Sequence, residues 1–267
     1  VRNPASLAMT AATIHETSSG RVCLGIGTGF PARLDLMGIS HKMPIAALKE
    51  TMEICRGIWS GNALNYSGKV FNLKNVKSLL GRINGKLPIY VAGWKTQMLK
   101  LTAKHADGYL AKGGESTISL GLIVSTISSF ASPRSINEID VAAYLLTLVS
   151  HSKQDALARA RRDPFVAYML SVQDDYLYEG TGIDPALKKP IAENYFRGNL
   201  SGAFESIKDE MLESFTLTGT ADQVCERIRE YTKVGLKLPI LQPISMNTED
   251  ISAVAKAGSM LIEGAPN

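Results

Sequence analysis

Five short apolar runs, each divided from the next by a segment with helical spacing, constrain this chain more than any other feature. They are Val22–Ile26, Pro88–Ala92, Asp107–Ala111, Ile139–Leu148 and Leu238–Pro243. Strands that alternate with helices indicate an α/β protein built on a parallel sheet. The first run is continuously apolar, as a parallel strand is when both of its faces are covered. It leads directly into Gly25-Ile26-Gly27-Thr28-Gly29-Phe30, a glycine-rich bend placed where a strand passes to the next helix. Five strands are too few to close a barrel of normal tilt and stagger.

The intervening segments carry their own boundaries. Asn3 is placed to cap a helix whose first residue is Pro4, with Leu7, Ala11 and Ile14 on one face and Gly20 beyond its end. Pro44 opens a helix through Trp59 with Leu48, Met52, Cys55 and Trp59 inward, and Ser60-Gly61 ends it. Leu64–Tyr66 and Lys69–Phe71, joined across Ser67-Gly68, read as a small hairpin. A helix is expected from Thr96 to His105 and another around Leu120–Phe130. Ser152 with Asp155 caps the next helix, and Thr220 with Gln223 forms a capping box ahead of a stripe of Val224, Ile228 and Tyr231 that Gly235 ends. Residues 163–214 are helical but interrupted by proline and glycine, and read as an insertion of short helices. Pro239 and Pro243 must sit at the ends of the last strand or on an unpaired side. With no repeat or low-complexity linker, residues 1–267 are expected to form one domain.

Composition narrows the function classes. The 267 residues are 45% hydrophobic and 20% charged, with 29 Lys and Arg against 25 Asp and Glu for a net charge of +4, as in an ordinary globular protein. Without a dense basic run or interleaved aromatics, no nucleic-acid partner is expected. Cys23, Cys55 and Cys225 lie far apart in apolar patterns and read as reduced core residues. His15, His41, His105 and His151 show no metal-ligand spacing, so no metal is expected and each reads as a surface or helix-face histidine. No apolar run reaches membrane-spanning length. The chain begins at Val1 rather than Met, so an upstream segment remains open.

Arg2-Asn3-Pro4-Ala5 with Gly20-Arg21 and Leu24–Gly27, then Met37-Gly38-Ile39, Lys49-Glu50, Ser60-Gly61, Pro88–Ala92, Met98-Leu99, Ala106–Gly108 and Phe215 to Thr220 follow one another in an order that resembles the luciferase-like monooxygenase superfamily. The resemblance is to its branch that uses the deazaflavin coenzyme F420, and there to the methylenetetrahydromethanopterin reductases. It implies a parallel TIM-type barrel with its site at the C-terminal ends of the strands. By this resemblance strands four to eight are present, the first three are missing, and the chain is an N-terminally truncated barrel whose insertion 163–214 roofs the site.

The same resemblance places the cofactor at two bends. Gly27-Thr28-Gly29-Phe30 lies beside the ring and phosphate, and Gly93-Trp94-Lys95-Thr96-Gln97 leads into a helix whose N-terminus suits the phosphate. In F420 relatives the second bend usually reads Gly-Pro-Lys before Met-Leu, whereas Lys95, Thr96 and Gln97 stand here. Trp94 either stacks on the ring or covers the barrel mouth. Phe30 stands where the relatives carry an acid, which suggests a more apolar substrate. Arg161 and Lys188 either are solvated helix-face charges or meet the acidic tail of the cofactor. A Rossmann reading fails, because the third glycine of its fingerprint falls on Phe30 and Asp35 is too close to bind a ribose.

The activity implied is hydride transfer between F420 and a small organic substrate, with no protein residue assigned a catalytic role. FMN is the alternative cofactor, in a luciferase-like monooxygenase, and a non-catalytic flavin-binding or partial protein is the alternative to an enzyme. A homo-oligomer in the cytoplasm, with no membrane partner, completes the expectation.

Overall fold

The computed structural model describes residues 2–39 and 42–263; His41 lies outside them. The chain packs as two units, with boundaries at Leu110/Ala111, Ser125/Thr126 and Asp140/Val141.

The first unit runs through α1 (Pro4–Thr17), β1 (Leu24–Gly27), α2 (Pro31–Leu36), α3 (Pro44–Trp59), the hairpin β2 (Leu64–Ser67) and β3 (Asn72–Val76), β4 (Ile89–Ala92), α4 (Thr96–His105) and β5 (Gly108–Ala111). Strands β1, β4 and β5 are parallel neighbours, with Ile26 opposite Val91 and Val91 opposite Tyr109. Asn3 Oδ1 accepts the Ala5 N–H at 2.9 Å and caps α1. The buried stripe of α1 is Ala8, Ala11, Ala12 and His15, however, and Ile14 is exposed. Small side chains on this stripe let α1 lie close to α3, where Trp59 Nε1 donates to Ala8 O at 2.8 Å. His15 is not a surface residue. It is buried with its Nε2 bonded to Asn84 O at 2.7 Å, which ties the end of α1 to the loop before β4.

Helix α3 buries Leu48, Met52, Ile54, Cys55, Ile58 and Trp59. Burial pushes the Cys55 thiol up to about 12, so it behaves as an inert core group. Cys23, in contrast, is exposed. The strand starts at Leu24, and of its four residues only Ile26 is buried. Among the described residues β1 pairs with β4 alone, which leaves Gly25 and Gly27 exposed where covered faces were expected.

The hairpin differs from expectation for a visible reason. Its second strand is Asn72–Val76 rather than 69–71. The N–H groups of Lys69, Val70 and Phe71 are taken by the Glu50 carboxylate at 2.7, 3.0 and 2.9 Å and are lost to the ladder. A Cβ at Gly68 would meet Glu50 Oε2 at 2.3 Å, so the tip needs glycine.

Helix α5 (Thr117–Ala131) and β6 (Asp140–Val149) cross the unit boundaries. The second unit continues with α6 (Lys153–Arg161), α7 (Pro164–Ser171), α8 (Lys188–Phe196), α9 (Leu200–Ser206), α10 (Asp209–Phe215), β7 (Leu217–Gly219), α11 (Ala221–Lys233), β8 (Leu238–Pro243) and α12 (Thr248–Glu263). Strands β7 and β8 both pair in parallel with β6, Thr147 standing opposite Leu217 and Ala142 opposite Leu238. Among the described residues strand β7 brings the parallel strands to six where five were expected. Its three residues between two helices are too short for a periodic signal. The core of this unit gathers Leu146, Leu148, Val166, Leu170, Leu177, Met211, Leu212 and Phe215.

Candidate functional site

Both expected bends fall in the first unit. Gly27 stands opposite Ala92 in register, so both bends leave the C-terminal ends of neighbouring parallel strands, where ligands of open and closed α/β sheets bind. The first bend is tight against its surroundings. A Cβ at Gly27 would stand 3.4 Å from Ala92 O, and Gly29 adopts φ +75° with Leu34 3.3 Å from where its Cβ would be. Thr28 Oγ1 donates to Gly29 O at 3.3 Å. The Phe30 carbonyl accepts from Leu34 N at 3.1 Å to start α2, while its side chain is 66% exposed.

At the second bend Gly93 has φ +142°, and a Cβ there would press on Met98 at 3.0 Å. Lys95 is the N-cap of α4 by its backbone, its carbonyl accepting from Met98 N at 2.7 Å. No side chain caps this helix. Lys95, Thr96 and Gln97 are exposed, and Trp94 is half-buried with Lys95 Nζ 5.9 Å from its ring centroid. The combination is an uncapped helix N-terminus, a cation and two side-chain donors, which suits an anion. A side-chain-free backbone two residues earlier leaves room for a flat group.

A cavity of about 520 Å³ opens beside the first bend. Its walls are Gly25 to Gly29, Leu34 of α2, Leu7 of α1, Leu48 and Thr51 of α3, and Val70 and Phe71 of the hairpin tip. Gly93 to Gln97 do not line it. The structure thus brings the two bends to one end of one sheet, but the cavity belongs to the first.

Two buried carboxylates, Glu50 and Glu115, were given no role in the sequence reading. Burial alone would raise the Glu50 carboxyl, but the N–H groups of Phe71, Val70 and Lys69 outweigh it and hold Glu50 below its ordinary value. It fixes the hairpin tip that walls the cavity. In the second unit Glu115, 1% exposed, accepts from Tyr176 OH at 2.6 Å and Ser119 Oγ at 2.7 Å, and its carbonyl accepts from Tyr231 OH at 2.6 Å. Burial pushes its carboxyl above the ordinary range against the pull of those hydroxyls. The available signal was Gly113-Gly114-Glu115 directly after a strand, the same kind of glycine bend as the first.

The charges considered for a cofactor tail are engaged within the second unit. Arg161 pairs with Asp209, and Lys188 with Asp175 while also donating to Gln173 O at 2.7 Å. Among the described residues no three His, Cys, Asp or Glu side chains are placed to hold a metal. No helix among them is long and apolar enough to cross a membrane.

Known proteins resemble this chain in sequence and in fold. The chain is 30% identical over 246 residues to 5,10-methylenetetrahydromethanopterin reductase of Archaeoglobus fulgidus, covering 88% of this chain and 71% of the relative. It is 30% identical over 252 residues to the reductase of the same name from Methanolobus tindarius, covering 93% and 76%. The solved structure of the coenzyme F420 dependent tetrahydromethanopterin reductase from Methanopyrus kandleri superposes with a TM-score of 0.87 at 25% identity, over 98% of this chain and 80% of that one. The luciferase-like monooxygenase family matches residues 1–238, through both packing units. With its parallel strands, its alternating helices and this match over most of its length, the chain belongs to the luciferase-like monooxygenase family.

Proposed function

We propose that this chain is an F420-dependent oxidoreductase of the methylenetetrahydromethanopterin reductase kind, which exchanges a hydride between the deazaflavin and a small organic substrate. One observation carries the reading. Two glycine bends leave the same ends of adjacent strands, one with Gly27 and Gly29 packed closely against their neighbours and the other opening an uncapped helix beside Lys95. The relatives at 30% identity bear the reductase name, and the activity comes to this chain from them.

The residues present fit such a group. When bound, F420 supplies a ring that accepts or gives a hydride, and the protein's part is to hold, orient and shield it. Gly27, Thr28, Gly29 and Phe30 would flank the ring, since a Cβ at Gly27 or Gly29 would narrow the bend. Gly93 and Trp94 would face it, and Lys95, Thr96 and Gln97 with the α4 N-terminus would take the phosphate. None of these side chains is placed to move a proton, which agrees with a reaction whose chemistry resides in the cofactor. A homo-oligomer in the cytoplasm belongs to the same reading.

Titration of the chain with F420 and with FMN, followed by fluorescence, tests the proposal. Saturable binding of F420 in preference to FMN is the expected result. Preference for FMN would overturn the cofactor, and failure to bind either would overturn the enzyme reading.

A further inference from the structure

We propose that Asn84 is a deamidation site guarded by Glu16, and that its conversion to a carboxylate permanently releases the end of α1 from the loop before β4. Asn84-Gly85 is the one asparagine–glycine pair in the chain, and both residues are exposed. The backbone nitrogen that follows an asparagine is the atom that attacks its carboxamide, and a glycine there has no side chain to crowd the approach. Gly85 stands at a bend with φ +71°, and a Cβ on it would meet nothing within 4 Å. Among the described residues nothing accepts from the Gly85 N–H. A cavity of about 550 Å³, lined by the pair together with His15, Glu16, Ser19 and Lys86, opens beside it and admits water. The reaction needs only that water. The Gly85 nitrogen bonds to Asn84 Cγ, the Cγ–Nδ2 bond breaks, and ammonia leaves with the proton that the Gly85 nitrogen gives up. Water then opens the five-membered imide at either carbonyl, which yields aspartate or isoaspartate.

Glu16 holds the carboxamide back from that attack. Its Oε1 accepts the Asn84 backbone N–H at 2.9 Å and its Oε2 accepts Asn84 Nδ2 at 3.1 Å. One carboxylate thus takes both groups, and the side chain is folded toward its own N–H rather than forward to Gly85. The Asn84 backbone N–H, and then its side-chain amide, hold Glu16 below its ordinary value. His15 adds a third tie, its Nε2 donating to Asn84 O at 2.7 Å. In the product an oxygen replaces Nδ2 opposite Glu16. A donor becomes an acceptor and two carboxylates face each other, which is repulsive at this distance. In isoaspartate the backbone is also one atom longer, so the three ties do not re-form together.

The test incubates the full chain at mildly alkaline pH. Trypsin then releases residues 83–86, mass spectrometry reads the change from amide to acid, and enzymatic methylation reads isoaspartate. Asn84 should convert ahead of every other asparagine, with isoaspartate in excess over aspartate. Glu16→Ala should speed conversion about tenfold, the weight of one hydrogen bond to a charged group, and Glu16→Gln should speed it by a smaller factor. Asn84→Asp should melt about 3 °C below the parent chain. Adding Glu16→Gln to it should restore the melting temperature, because amide and carboxylate then only exchange places. Conversion no faster at Asn84 than elsewhere, aspartate without isoaspartate, or a rate that neither Glu16 variant raises overturns the guarded site. An Asn84→Asp chain that melts with the parent, or a loss that Glu16→Gln does not restore, overturns the release.

Discussion

The C-terminal ends of β1 and β5 are built in opposite ways. After β1 the chain spends glycines, exposes Phe30, and makes one weak side-chain hydrogen bond from Thr28. After β5 it buries Glu115, Ser116 and Ser119 at 1% exposure each and satisfies Glu115 with Tyr176 and Ser119. Both begin as glycine bends after a parallel strand. A polar network whose donors and acceptors already have partners specifies the fold and has little left to offer a ligand. A bend with open backbone and few partners does the reverse. Glycine content alone therefore does not separate the two bends; the state of their hydrogen bonds does.

The sharpest way to break this contrast is to substitute both ends. Glu115→Ala should lower the unfolding free energy by about 3 kcal/mol, because it removes the acceptor of the Tyr176 and Ser119 hydroxyls and opens a void at a buried position, and should leave F420 affinity unchanged; denaturant melts and F420 titration measure the two. Lys95→Gln should do the opposite, weakening F420 about tenfold, or about 1.4 kcal/mol, with the melting midpoint unmoved. A loss of stability at Lys95, or of affinity at Glu115, would reverse the assignments.

The two buried glutamates sharpen the contrast through pH. Glu50 is held below its ordinary value, so the unfolded chain binds more protons there. Its contribution is present above the unfolded carboxyl range and is lost as pH falls through the folded value. Glu115 is raised, so the folded chain binds more protons, and stability falls as pH rises through its folded value. Urea melts across pH should show Glu50→Gln flattening the acid limb and Glu115→Gln flattening the limb above it. One limb responding to both variants would contradict the separate environments. The smallest effect is expected for Thr220→Ala at the cap of α11, about 1 kcal/mol by thermal melt, with no change in F420 binding.

Much of the fold was legible where local chemistry marks a boundary. Pro44 and Ser60-Gly61 bracket α3, and Thr220 with Gln223 forms the expected reciprocal cap. Expectation failed where a distant group decides. His15 is buried because Asn84, far along the chain, offers a carbonyl. The hairpin strand shifts to Asn72 because Glu50 removes the preceding N–H groups. Ala8 and Ala12 fill the middle of the α1 stripe, with Leu7 packed at its margin and Ile14 exposed, because α3 lies too close for larger side chains. For the site, the glycine spacing and the helix start at Thr96 were readable, and so was their shared end of the sheet once the strands were taken as parallel. The cavity was not, since Val70 and Phe71 reach it only through the Glu50 clamp.

Amide hydrogen exchange with and without F420 tests the central claim most directly. The account predicts slowed exchange at Thr28, Gly29 and Phe30 together with Thr96 and Gln97, and none at 113–119. Protection confined to 113–119, with the two bends unchanged by bound F420, would contradict it.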